Sequence, residues 1–166
     1  MADESAQRSP PIRRILASII DAVIFLIAAW LISILIEPPL RARIQTEWRA
    51  DYVLSIIMIA LWLLYSSLEM IVAATPGKLF LSLRIVGVDG NEAPTSLLVM
   101  RWSSKQLPFI FMLFAMLTFS DLLGSLANLT AMILWIGCLQ MLDEDRRSWL
   151  DMWAHTAVIR EGSAKK

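Results

Sequence analysis

The sequence predicts an all-α integral membrane protein: a four-helix transmembrane bundle with both termini cytoplasmic, carrying a short cytoplasmic β-strand pair and an interfacial helix. Three observations lead there. The 166 residues are 57% hydrophobic and only 18% charged, with a mean hydropathy of +0.61, and a water-facing surface does not accommodate that apolar excess. The excess is gathered into long runs, and Lys and Arg are unevenly divided among the segments between those runs. Fifteen basic against fifteen acidic residues, one cysteine and high hydrophobicity argue against a nucleic-acid-binding domain, a disulfide scaffold or a disordered chain. The expected partner is the lipid bilayer, not nucleic acid.

Residues 15–36 hold one charge, Asp21, and at ~1.5 Å per residue they cover a ~30 Å hydrocarbon core with some tilt. A polar leader precedes Arg13 and Arg14, and Glu37-Pro38-Pro39 follows instead of a small-residue cleavage site, so the segment reads as a retained span, not a signal peptide. The second run, 52–74, contains only Glu69 as a charge, with Tyr52 at one rim. Residues 107–142 form one apolar stretch interrupted by Ser120-Asp121 and Gly124, too long for one helix and sufficient for two short ones, 107–120 and 123–142. Charge distribution favours the pair: four crossings with the N-terminus inside put twelve Lys and Arg on the cytoplasmic side and three outside, whereas three crossings give seven and eight. A re-entrant hairpin over 107–142 gives the same sidedness and remains the alternative.

Between the second and third spans, 78–88 (KLFLSLRIVGV) alternates apolar and polar positions with a period of two and reads as a half-buried strand, closed by the Asp89-Gly90-Asn91 turn. Thr156 to Ile159 form a candidate partner strand on the same side. The segment 146–154 (RRSWLDMWA) sets Trp149 and Trp153 one helical turn apart and reads as an interfacial helix; most of the seven tryptophans fall near expected rims. A single domain over 13–160 follows, with disordered ends at 1–12 and 161–166.

Two charges stand out. Asp21 lies roughly 9 Å inside the first span and Glu69 about 7–8 Å inside the second, at ~1.5 Å per residue, so the two carboxylates are expected at similar depth. Unpaired in lipid, such a group costs at least ~2.5–3.5 kcal/mol. Arg14, seven residues before Asp21, shares its helix face, and Ser66, Ser67 and Gln140 fall near the same layer. Either this layer is water-accessible and binds a proton, a cation or a basic substrate group, or Arg14, Arg84 or Arg101 neutralises it and it only fixes helix packing.

RRILASIID at 13–21, TPGKLFLSLRIV at 75–86, VDG at 88–90, Arg101 and RRSWLDMWAHTAVI at 146–159 resemble, in this order, the pattern of the RDD family of bacterial membrane proteins. The family's arginine corresponds to Arg14, its first aspartate to Asp21 and its second to Asp151. The resemblance implies a multi-pass bacterial inner-membrane protein, with transport of an undefined ligand suggested, ion/proton antiport proposed for some members, and accessory roles in larger complexes for others. Leu150 stands where a histidine often precedes the last aspartate, and His155 where a glycine is common.

Other motifs carry less. Gly77-Lys78 lacks the remaining positions of a phosphate loop, and Thr75-Pro76-Gly77-Lys78 reads as a helix-end motif with Lys78 at the negative end. His155 and Cys138, each the only one of its kind, assemble no metal site or nucleophilic triad, so no metal, cofactor or enzymatic activity is expected. Asn128 and Thr130 read as helix-to-helix glue, and Asp121 as a hairpin tip. Two functions follow: transport of a cation, proton or small solute through the Asp21/Glu69 layer with Arg14 and Arg101 nearby, or a non-catalytic accessory or assembly role in which the same charges hold the bundle. At 18.7 kDa a homo-oligomer or a place in a larger membrane complex is expected for either.

Overall fold

A computed structural model describes residues 9–44, 47–142 and 147–160. The expected disordered ends fall largely outside the described residues, at 1–8 and 161–166; within the leader, Ser9 is buried and donates its N–H to the Val158 carbonyl at 2.9 Å. Helix α1, Pro11–Arg43, starts with proline at its first position, where the missing N–H has no helical partner to lose. At 33 residues it is roughly 50 Å long, more than a hydrocarbon core requires, and it runs through Pro38-Pro39 to Arg43. Its buried residues, Arg14, Ala17 and Asp21, lie on one stripe; Leu26, Trp30 and Leu35 on other faces are more than 60% exposed. An apolar surface of that kind suits lipid.

Helix α2, Glu47–Ser66, is joined to α1 by Arg41, whose guanidinium donates to Glu37 at 2.8 Å and to Asp51 at 2.7 Å. It breaks at Ser67, where the Ser66 and Ser67 hydroxyls donate back to the Leu63 and Leu64 carbonyls. The short helix α3, Leu68–Val72, then ends at Ala73 in the left-handed conformation. The Thr75-Pro76-Gly77-Lys78 motif therefore does not close the helix. Thr75 is extended, Pro76 occupies the first helical position, and the motif opens a new helix, α4, Pro76–Phe80.

That helix takes the first part of the stretch expected to be a strand. Extended structure begins only after Ser82, whose φ of 52° turns the corner, and strand β1 is Leu83–Gly87. The expected pairing is present: β1 runs antiparallel to β2, Thr156–Arg160, with Ile85 opposite Val158. Helix α5, Thr95–Thr118, and helix α6, Asp121–Leu139, form the hairpin, with Phe119 left-handed and the Ser120 hydroxyl accepting from the Leu123 N–H. A 3-10 turn, Gln140–Leu142, follows, and α7, Trp149–Trp153, is the expected tryptophan-bearing helix. Gly137 of α6 faces the Trp149 ring so closely that a Cβ there would sit 3.0 Å from it.

Among the described residues three helical segments are long and apolar enough to cross a membrane: Pro11–Arg43, Glu47–Val72 and Asp121–Leu139. Helix α5 differs because Arg101, Lys105 and Gln106 occupy its first half, leaving an apolar part of about 12 residues, roughly 18 Å. The well-buried core is not in the middle of the bundle. Ala17, Ala73, Leu83, Ile85, Leu98 and Val158 pack together where the strand pair meets α1, α3 and α5. Truncating the fully buried Ile85 to Ala should cost about 2–5 kcal/mol, read as a lower thermal midpoint in detergent, whereas Leu26→Ala on the lipid-facing side of α1 should change it little.

Candidate functional site

The buried charges gather beside that core. Asp151 is fully buried in α7, which opens with a capping box: the Ser148 hydroxyl accepts from the Asp151 N–H at 3.2 Å, and Asp151 Oδ2 accepts from the Ser148 N–H at 3.1 Å. The same Oδ2 accepts from Arg14 Nη1 at 2.7 Å, and Oδ1 accepts from Arg101 Nη1. Both arginines are also tied to the second strand, Arg14 through the Val158 carbonyl and Arg101 through the Thr156 hydroxyl, each at 3.1 Å.

Arg101 extends the chain of charges. Its Nε donates to Glu69 Oε1 at 2.9 Å, while Glu69 Oε2 meets both Lys78 and Lys105 at 3.1 Å. Glu69 is fully buried, and the run Arg14, Asp151, Arg101, Glu69, then Lys78 and Lys105, links α1, α7, α5, α3 and α4. Among the described residues these four cations lie on two carboxylates. Burial pushes the Lys78 amine down to about 7, Glu69 pulls it upward, and Lys105 and Arg101 add to the lowering.

Asp21 belongs to a separate arrangement built from neutral donors. The Tyr65 hydroxyl donates to Oδ1 at 2.7 Å, the Thr75 hydroxyl to Oδ2 at 2.5 Å, and the Gly77 N–H to Oδ1 at 2.8 Å. Because Thr75 points its hydroxyl at Asp21 instead of back onto α4, the carboxylate of one helix caps the first turn of another. Gly77 is required by this approach: a Cβ would run into the Ala17 carbonyl oxygen and come within 2.9 Å of the Asp21 carboxyl carbon.

The sequence-derived residues are thus redistributed. Arg14 and Asp21 share a stripe of α1, but Arg14 pairs with Asp151 and Asp21 turns to α4. Glu69 and Arg101 are in contact, and Arg84 instead pairs with the exposed Glu92 at 3.1 Å. Ser66 accepts from Trp102 Nε1 at 2.9 Å, and Gln140 is exposed. Trp62 and Trp102 are half-buried hydrogen-bond donors; Trp62 Nε1 donates to the Gln106 side-chain oxygen Oε1 at 3.1 Å. His155 and Asn128 are exposed, as is Asp121 at the start of α6, and the Thr130 hydroxyl donates within its own helix. Sequence reading did not single out Lys105, Tyr65, Gln106 or Ser148. Signals existed for two: Lys105 follows Arg101 by four residues on one helix face, and Ser148-x-x-Asp151 has capping-box spacing.

Apolar outer helix faces around an interior polar layer define a multi-pass α-helical membrane protein. The comparison with known families is specific: the sequence model of the RDD family matches residues 8–155, and the chain belongs to the RDD family. No similar chain is found among curated proteins or among solved structures. The family's arginine and second aspartate, carried to Arg14 and Asp151, are in direct contact here, with Asp21 two helical turns beyond Arg14.

Replacing Asp151 with Asn removes the counter-charge of two buried arginines and the partner that closes the capping box. The expected loss is about 3–5 kcal/mol, seen as a lower thermal midpoint or reduced recovery of folded protein, against a near-neutral effect for Glu92→Gln at the exposed Arg84 pair. Lys78 generates a pH dependence. Its amine loses its proton near 7 in the folded chain and near 10.5 when unfolded, so between those values the unfolded chain binds more protons and stability rises with pH. Wild type should melt at higher temperature at the alkaline end of this window than below 7, and Lys78→Met should flatten the difference.

Proposed function

We propose that this RDD protein is a four-span protein of the bacterial inner membrane, both termini cytoplasmic, acting as a non-catalytic accessory or assembly subunit within a homo-oligomer or a larger membrane complex. The observation that carries this reading is that Asp21, Glu69 and Asp151 each already hold three internal partners. Asp21 takes three internal donors, Glu69 three cations, and Asp151 two arginines plus a backbone N–H. A carboxylate that captures a passing cation needs open lone pairs, and most of these are committed to holding helices together. The exposed apolar faces then serve lipid or partner helices. The topology is supported by the distribution of basic residues and by the internal pairing of Arg101 and Lys105, which lets the polar half of α5 lie near the headgroups while its apolar half and α6 complete the hairpin.

Transport of a proton, cation or small solute is the second reading, favoured by Lys78. Its amine titrates near neutrality and touches Glu69, a pair that could exchange a proton with solvent. Two measurements separate the roles. Purification in mild detergent should co-isolate a stoichiometric membrane partner or further copies of the chain, and liposomes carrying the protein should show no proton or Na⁺ flux above empty vesicles. A lone monodisperse protein with flux abolished by Glu69→Gln would overturn the accessory reading. Periplasmic activity of a C-terminal reporter contradicts four crossings.

A further inference from the structure

The end of the bundle away from the charge cluster holds a cavity of about 670 Å³. It lies where α1 ends and α2 begins, lined by Arg43, Trp48, Arg49, Tyr52 and Phe119 with two aliphatic neighbours. Its floor is fixed. The Tyr52 ring stacks on Phe119 with centroids 5.4 Å apart and planes within 3°, and the Tyr52 hydroxyl donates to the Met116 carbonyl. The three arginines at this end are used differently. Arg41 is spent on Glu37 and Asp51, whereas Arg43 and Arg49 have no carboxylate partner among the described residues. The Arg49 guanidinium lies 5.1 Å from the Trp48 ring centroid, a contact that orients it without neutralising it. No acidic side chain is among the lining residues.

We propose that this cavity binds a phosphate group, with Arg43 and Arg49 as the two ligands and Trp48 and Tyr52 as the aromatic wall. Two planar guanidinium forks facing one space match the tetrahedral oxygens of a phosphate ester better than a point cation does. Trp and Tyr where helices leave an apolar bundle mark the headgroup layer, where phosphate is most abundant. The phosphate has two sources, a phospholipid headgroup or a free phosphate ester, and the site lies outside the charge cluster on which the proposed function rests.

The full chain, purified in detergent and supplied with phosphatidylglycerol, should retain lipid in native mass spectrometry, and Arg43→Gln/Arg49→Gln should retain it roughly fivefold less or worse. Arg84→Gln, which removes an equal charge at an exposed pair elsewhere, should retain as much as wild type. Thermal shifts with millimolar glycerol 3-phosphate or inorganic phosphate identify the source. A stabilisation by these soluble anions that the double variant loses supports a free phosphate ester; retention of lipid alone supports the headgroup. Should the double variant not fold, Arg43→Lys and Arg49→Lys keep the charge but lose the fork, and each should weaken lipid retention or phosphate stabilisation. Equal binding by wild type and these variants, a loss matched by Arg84→Gln, or no binding of either probe by wild type overturns the proposal.

Discussion

Asp151 is the point on which the rest of the structure depends. Lateral association of apolar helices in a bilayer gains little from the hydrophobic effect, because lipid tails solvate a leucine as well as another helix does. What can specify neighbours is a polar group with nowhere else to go. Arg14 comes from the first helix, Arg101 from the fifth and Asp151 from the last, and each is below a tenth exposed. Separating any one of them breaks a buried ion pair, so one relative placement of α1, α5 and α7 is favoured. The strand pair benefits directly, since both arginines also bond to β2, and through Val158 and Ile85 the same placement shapes the small core.

Among the described residues, the three buried carboxylates are satisfied by two different chemistries. Asp21 uses hydroxyls and a backbone N–H, which hold position without adding charge; Glu69 and Asp151 use cations, which neutralise but must themselves be neutralised. The buried amine beside Glu69 is Lys78, with only 12% of its side chain exposed; burial lowers it more than Glu69 raises it, and the crowding of Lys105 and Arg101 adds to the lowering. A guanidinium cannot relieve such crowding by losing its proton near neutrality, but an amine can. Arg101 therefore stays the fixed centre of the network and Lys78 becomes its adjustable member.

Sequence patterns carried the features that repeat along the chain and missed those that depend on distant partners. Apolar runs located the helices, period-two alternation and the Val158 region located the strand pair, and tryptophan spacing located α7. The expected strand begins too early because alternation extends into 78–82, where proline at the first position of a helix is the stronger local signal. The seven residues between Arg14 and Asp21 return to the same face; that spacing predicts a shared stripe, not a contact, and Arg14 pairs with a carboxylate 137 residues away. Lys105 and Gln106 precede the third apolar run in sequence, yet they continue α5 and turn inward. Buried polar contacts of this range leave no periodic trace.

The order of synthesis gives the network a direction in time. On the proposed topology the cytoplasmic bias of Lys and Arg orients the helices as they insert, before ion pairs with later segments can form. Arg14, Lys78, Arg101 and Lys105 all precede Asp151 in the chain. Glu69 is made before three of them, but Asp151, which pairs with Arg14 and Arg101, is made only after the α5–α6 hairpin. The arginines can therefore serve first as topological determinants and later as structural ligands, with α7 and β2 closing the assembly last.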